Sequence, residues 1–180
     1  MAGLKFRVLL DSETKKEVFR DILISDETNF EVLYQTILES YGFSGDQMAS
    51  FYISNDDWDK GQEIALTDMT FGEDPDAPLI MLDEQIKTFI EQPDQKIILV
   101  HDFLRLWIFL IELIGYEKEN PENPSVILAV GEAPKEDSRS SEDNDDLFIG
   151  DVEDEDEFGF DEFDDDLSDE DYSNFDDYEY

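Results

Sequence analysis

Cysteine is absent from this 180-residue chain. Its absence excludes disulfides, thiolate zinc sites and cysteine nucleophiles, and it suits a reducing compartment. Positive charge is scarce, because 12 Lys and Arg stand against 50 Asp and Glu for a formal net charge of -38. DNA, RNA and anionic lipid are held through cations that displace counterions, so no direct nucleic-acid or membrane binding is expected. The 9 glycines are scattered, with neither the Walker nor the dinucleotide spacing, and neither a nucleophile elbow nor a zinc-helix motif occurs. Long apolar runs are missing as well. A membrane helix needs about 20 apolar residues in a row, whereas the greasiest stretch, Lys96 to Tyr116, is interrupted by His101, Asp102, Arg105 and Glu112. The amino-terminal "MAGLKFRVLLDSE" is broken by charge before a signal-peptide core of about 7 to 15 residues forms. A cytoplasmic location is expected.

Acid is abundant, and it is unevenly placed. From Glu132 onward there are 24 Asp and Glu against Lys135 and Arg139, giving -22; the preceding part carries 26 against 10, giving -16, and the two sum to -38. The expected organisation is a domain over 1–131 and an acidic tail over 132–180. The tail lacks the apolar density to offset ordering entropy and is expected to be disordered when free. It nevertheless holds Phe148, Phe158, Phe160, Phe163, Tyr172, Phe175, Tyr178 and Tyr180. A purely solubilising tail has no need of rings. A segment that docks on a basic, partly apolar protein surface gains from both features, since charge steers the encounter and rings supply buried area. The partner-binding residues expected from this pattern are Phe158, Phe160, Phe163, Tyr172, Phe175, Tyr178 and Tyr180.

Periodicity outlines the domain. In "LKFRVLLD", Leu4, Phe6, Val8 and Leu10 share one face at the period of a half-buried strand, and "VFRDILIS" from Val18 to Ser25 is the returning strand of a hairpin. "SDETNFEVLYQTILESYGF" changes period: Phe30, Leu33, Ile37, Leu38 and Tyr41 fall at helical spacing, and Gly42 is placed as a stop. "SFYISN" is a short strand, and "DDWDKGQEIAL" is a turn leading into another. "LIMLDEQIKTFI" has the pattern of a second, shorter helix ending before Pro93. "QKIILVHDF" and "RLWIFLIELIGY" are rich in Ile, Val, Phe and Trp and too apolar on both faces for an edge, so a central hairpin is expected. A buried helix is the competing reading of the second piece. "SVILAV" is the last strand. The fold class is therefore α+β, a mixed or antiparallel sheet opening with hairpin, helix and strand and covered by two helices.

Candidate sites are few. His101 and Asp102 are neighbours, but successive strand residues point to opposite faces, so the pair does not act together and His101 is expected to be a core imidazole. "NDDWDKGQE" fails as a calcium loop. Counted from Asn55, Lys60 stands where glycine must be and Leu66 where glutamate must be. No catalytic residue, metal ligand or cofactor is expected. Five of the cations, Lys5, Arg7, Lys15, Lys16 and Arg20, lie in the first hairpin. They are either solvated positions offsetting local acid or the surface onto which the tail folds back.

Several strings in order, "KFRVLLD", "VFRDILIS", "NFEVLYQTILESYGF", "FYISNDDWDKGQEI", "ILVHDF" with Trp107 and "IEL", and "ILAVGEAPKED", resemble the plasmid ORF-three-like family, met also as the TnpR-like passenger protein of insertion elements. The likeness spans about Leu4 to Asp137 and stops short of the tail. Asp102, Phe103 and Trp107 fit the family's Asp-Phe and tryptophan pattern. His101 replaces a tyrosine, and Leu104, Arg105, Leu106 and Phe109 stand where glycine, acids and histidine are usual. The cysteines often seen near the family's proline-acid ending are missing around Pro134 to Asp137. The resemblance implies an α+β domain of no assigned activity whose polar hairpin positions have become apolar. A non-catalytic interaction module with a basic protein partner is the expectation. The alternatives are an enzyme or metal-binding domain centred on the sheet, and a mobile-element accessory protein.

Overall fold

Alternation builds the first two strands as expected. The computed structural model describes residues 2–12, 16–70, 75 and 77–139, and the chain divides into a unit of Met1–Asp143 and one of Asn144–Tyr180. The aromatic positions from Phe148 to Tyr180, Lys15, and the expected disordered tail beyond residue 139 lie outside the described residues, whereas residues 132–139 of that tail are described and ordered on the body. β1 (Gly3–Leu10) and β2 (Phe19–Ser25) pair antiparallel with Leu4 opposite Ile24 and Phe6 opposite Ile22. Leu4, Phe6, Val8, Ile22 and Ile24 are all buried.

The helix α1 (Phe30–Tyr41) starts where Asn29 Oδ1 accepts the Val32 amide at 3.0 Å and stops at Gly42, whose φ of 71° only glycine adopts freely. Phe30, Leu33, Tyr34, Ile37, Leu38 and Tyr41 face the sheet. β3 (Ala49–Ser54) and β4 (Lys60–Ala65) form the next hairpin, closed by an Asn55 turn whose Oδ1 accepts the Asp57 and Asp59 amides at 3.0 Å each. Trp58 sits there at φ 64°, with the Lys96 ammonium 5.1 Å from its ring centre. The segment that fails as a calcium loop is thus a hydrogen-bonded turn.

The stretch from Lys96 to Tyr116 is the central hairpin. β6 (Lys96–His101) and β7 (Trp107–Glu117) pair antiparallel, Ile97 opposite Ile111 and His101 opposite Trp107. With β5 (Leu79–Ile80) and β8 (Ser125–Val130), the sheet runs β5-β4-β3-β6-β7-β1-β2-β8, eight strands of which only β4 and β5 are parallel. Trp107, Phe109, Ile111 and Leu113 point to the helix-bearing face and are buried, whereas Ile108, Leu110 and Glu112 on the other face are half-buried.

The expected α+β domain with two covering helices is overturned. The described residues form a strand-dominated mixed sheet with one α-helix. "LIMLDEQIKTFI" is instead the two-residue β5, an irregular stretch and a short 3-10 turn, Ile86–Phe89. Its backbone groups are committed elsewhere. The Met81 amide donates to Ala65, the Glu84 and Met81 carbonyls accept from the Phe30 and Glu31 amides, and the Ile86 and Lys87 amides donate to Thr28 and Asp26. The segment therefore satisfies the orphan amides at the start of α1 at the cost of its own helical ladder. Apolar spacing cannot reveal that competition.

Gly131 ends β8 at φ 83°, and a Cβ there would lie 2.5 Å from the Glu17 carbonyl oxygen and 3.0 Å from Val18 Cα. Gly131→Ala is expected to destabilise the fold by about 2 kcal/mol. The check is urea denaturation, with a lower midpoint and an unchanged slope; an unmoved midpoint would show that the Glu17–Val18 backbone yields freely.

Candidate functional site

Beyond Gly131 the chain stays on the sheet. Ala133 packs against the core, and a 3-10 turn, Glu136–Ser138, brings Glu136 to the end of the β6–β7 hairpin. There His101, with no exposed surface, is held from both sides. Its Nδ1 lies 3.0 Å from the Tyr34 hydroxyl and its Nε2 lies 2.9 Å from Glu136 Oε1. The other carboxylate oxygen accepts the Ser44 amide at 2.7 Å, and the Ser44 hydroxyl donates to Oε1 at 3.3 Å. Trp107 Nε1 donates to the Glu136 carbonyl at 3.1 Å. Arg139 completes the attachment: its guanidinium lies 4.9 Å from the Trp107 ring centre and donates to the Leu106 carbonyl at 2.6 Å. Phe43 fills the space between His101 and Trp107, with ring centres 6.1 and 5.0 Å away.

The pattern of partners assigns the protons. Burial, with the charges of Glu136 and Asp46 adding to it, pushes the Tyr34 hydroxyl far above its usual range, so it is neutral. The Glu136 carboxylate only accepts, so His101 Nε2 carries a hydrogen and donates to it. For Glu136, burial alone would raise the carboxyl, but the hydrogen bonds from His101 and from the Ser44 amide and hydroxyl outweigh it and hold the group below its ordinary value. The sign of the pH dependence follows. Glu136 contributes stability that is fully present above its ordinary value of 4.5 and is lost as pH falls through the lowered folded value. Glu136→Gln is therefore expected to destabilise at about pH 6 and by less at about pH 3. Denaturant midpoints at both pH values check this, and a gap that is undiminished in acid would contradict it.

Chemically the Tyr34–His101–Glu136 line has the order of a nucleophile, a base and an orienting carboxylate. Access is what it lacks. Tyr34 is 2% exposed and His101 0%, and each polar atom is already occupied by a partner within the chain. Asp102 is separate, as strand alternation implies. At φ 62° its carboxylate accepts the Leu104 and Arg105 amides at 3.0 and 3.2 Å and shapes the turn between β6 and β7. Leu104, Arg105 and Leu106 lie in that turn, and Phe109 is in the core, 5.0 Å centre to centre from Tyr41. Among the described residues no group of three or more His, Asp or Glu is placed to hold a metal ion.

The hairpin cations have varied fates. Lys5 pairs with Glu117. Arg7 grips Asp21 through two contacts of 2.8 Å and lies 4.5 Å over Phe19. Arg20 is buried at 7% exposure, stacks 4.8 Å over Tyr41 and donates to the Ser40, Phe19 and Val130 carbonyls. Lys16 is exposed. Arg20 is thus a structural cation that locks β2 to both α1 and β8, which its place beside an apolar strand did not signal. Glu136 escaped sequence reasoning too, because one acid among 50 carries no distinguishing mark. The "APKED" string of the family resemblance was the signal available.

A sequence profile of the family described as plasmid pRiA4b ORF-3-like protein matches residues 2–177. The chain belongs to the plasmid pRiA4b ORF-3-like family. The match runs through the hairpin, α1, the central strands and the Glu136 segment, and continues past Asp137, where the quoted strings end. No curated protein matches the chain. A crystal structure of MM3350 from Methanosarcina mazei Go1, a protein of unknown function, is similar at TM-score 0.64 and 17% identity, covering 82% of this chain and 80% of that one. At that identity the likeness concerns the fold. Among the described residues no helix is long and apolar enough to cross a membrane.

Proposed function

We propose that this member of the pRiA4b ORF-3-like family is a non-catalytic, cytoplasmic protein-interaction module whose acidic, aromatic C-terminal region engages a basic protein surface. The observation that carries the reading is the closure of the Tyr34–His101–Glu136–Ser44 network. A histidine with no exposed surface and both nitrogens engaged holds the chain in place at 136. The enzyme alternative would need His101 to reach a substrate. Composition supports the reading from the other side, since 24 acids against 2 bases after residue 131 suit a cationic partner.

The structure dictates how to test it. A chain ending at Gly131 would lose Glu136 and Arg139 and damage the body, so the comparison is between the full chain and one ending at Asp143. Capture from lysate at low and high salt, read by mass spectrometry, is expected to retain basic proteins on the full chain alone and to release them at high salt. Identical partner lists for both chains would refute the role given to the C-terminal region.

A further inference from the structure

Strand β8 is the edge of the sheet beyond β2, and its six residues, Ser125 to Val130, are all exposed. Val126, Ile127, Leu128 and Val130 are 43, 48, 45 and 37% exposed, so among the described residues neither face of the strand is covered. An edge normally carries lysines, an internal proline, inward charges or a bulge that hinder pairing with another chain. "SVILAV" has no charge and no proline, and a single bulge is its protection. Its one irregularity is the register shift between Asp21 and Ile22, which sets Ile127 as an extra residue and leaves Leu128, Ala129 and Val130 opposite Asp21, Arg20 and Phe19. The strand is also rigidly supported, because Arg20 donates to the Val130 carbonyl and Gly131 abuts Glu17.

We infer that β8 is a docking edge for an extended segment of another protein, apolar at its centre and flanked by Lys or Arg, which adds as a ninth strand. This rests on the basic-partner reading above and gives it a second contact. Charge selects the occupant. The strand itself is neutral, and exposed Glu119 and Glu122 lie before it and Glu132 after it, with Glu17 beside its end. Lys118 and Lys16 are the exposed cations adjoining these positions, and Arg20 is already engaged by the Ser40, Phe19 and Val130 carbonyls and the Tyr41 ring, so the exposed rim is net negative. A second copy of the chain would bring another -38 alongside the first, so like-charge repulsion opposes self-pairing. A cationic segment meets apolar side chains on the strand and carboxylates at both of its ends.

The test uses the full chain and a synthetic peptide of alternating valine and threonine with two lysines at each end. The control peptide replaces the central valines with proline, which keeps the charge and prevents strand pairing. The informative variant is Val126→Glu with Leu128→Glu, at exposed positions. Added carboxylates would tighten a purely electrostatic contact, whereas a docked strand would lose its apolar partners and bind roughly tenfold more weakly. The expected results are tighter binding of the strand-forming peptide than of the control, weaker binding by the variant, and slowed amide exchange in β8 of the unmodified chain when the peptide is present. The exchange measurement stands even if the variant misfolds. Equal or tighter binding by a folded variant, or no slowing in β8, would overturn the inference. Should the two peptides bind alike while basic proteins are still captured in the salt-sensitive way, the edge inference fails and the basic-partner reading stands. Should the strand peptide bind β8 while no basic proteins are captured, the reverse holds. Sedimentation of the unmodified chain alone is expected to show a monomer, and a dimer dispersed by the two glutamates would assign the edge to a second copy instead.

Discussion

Phe109→Ala is expected to destabilise the protein by about 4 kcal/mol, the largest effect of any single truncation considered. Phe109 has no exposed surface and stands on β7, where the central hairpin meets the helix. Its ring meets Tyr41 edge-on at 5.0 Å and Phe43 at 6.0 Å. Removing it forfeits the transfer of a whole aromatic ring and opens a cavity that Tyr41 is unable to fill, because the Tyr41 hydroxyl is tied to the Val8 carbonyl at 2.8 Å. Partial loss is also expected in the neighbouring network, since Phe43 touches His101 as well. Urea denaturation measures the effect; a loss below about 2 kcal/mol would mean that the cavity collapses easily and that Phe109 is not central to the core.

His101→Phe is expected to cost about 3 kcal/mol. The phenyl ring fills the site and slightly overpacks it, so no cavity term enters and the loss combines the polar role with overpacking. It leaves the Tyr34 hydroxyl buried without its partner and deprives Glu136 of the donor at 2.9 Å. Adding Glu136→Gln to the His101→Phe protein is expected to cost less than Glu136→Gln alone, because two residues in one network do not contribute independently. Additive losses in the double-mutant cycle would show that the two side chains act separately.

Much of this fold is legible in the sequence, for a physical reason. A strand with one buried face writes its period directly, as in Leu4, Phe6, Val8 and Leu10, and α1 writes its own through Phe30, Leu33, Ile37 and Tyr41 together with its Gly42 stop. The central hairpin is legible from β-branched and aromatic density, and His101 falls at a core position as strand alternation implies. What escapes is whatever depends on distant partners. The 79–90 segment has helical spacing, yet its backbone hydrogen bonds go to Ala65, Thr28 and the start of α1, which no local pattern encodes. Arg20 is written as a charge on a strand and turns out to be a buried tie among three carbonyls. Glu136 lies 35 residues from His101 within acidic sequence, so only the folded chain reveals their pairing.

Glu136 and His101 form a clip that holds residues 133–139 to the sheet. Hydrogen exchange resolved to that segment, in the unmodified protein and in His101→Phe, tests it most directly. Slow exchange is expected at the Ser138 amide and the Trp107 indole in the unmodified protein. In the variant those two sites should exchange much faster while β1, β6 and β7 stay protected. Exchange at 133–139 that is equally fast in both proteins, or unaffected by the substitution, would contradict the clip and return Glu136 to the status of one more surface acid.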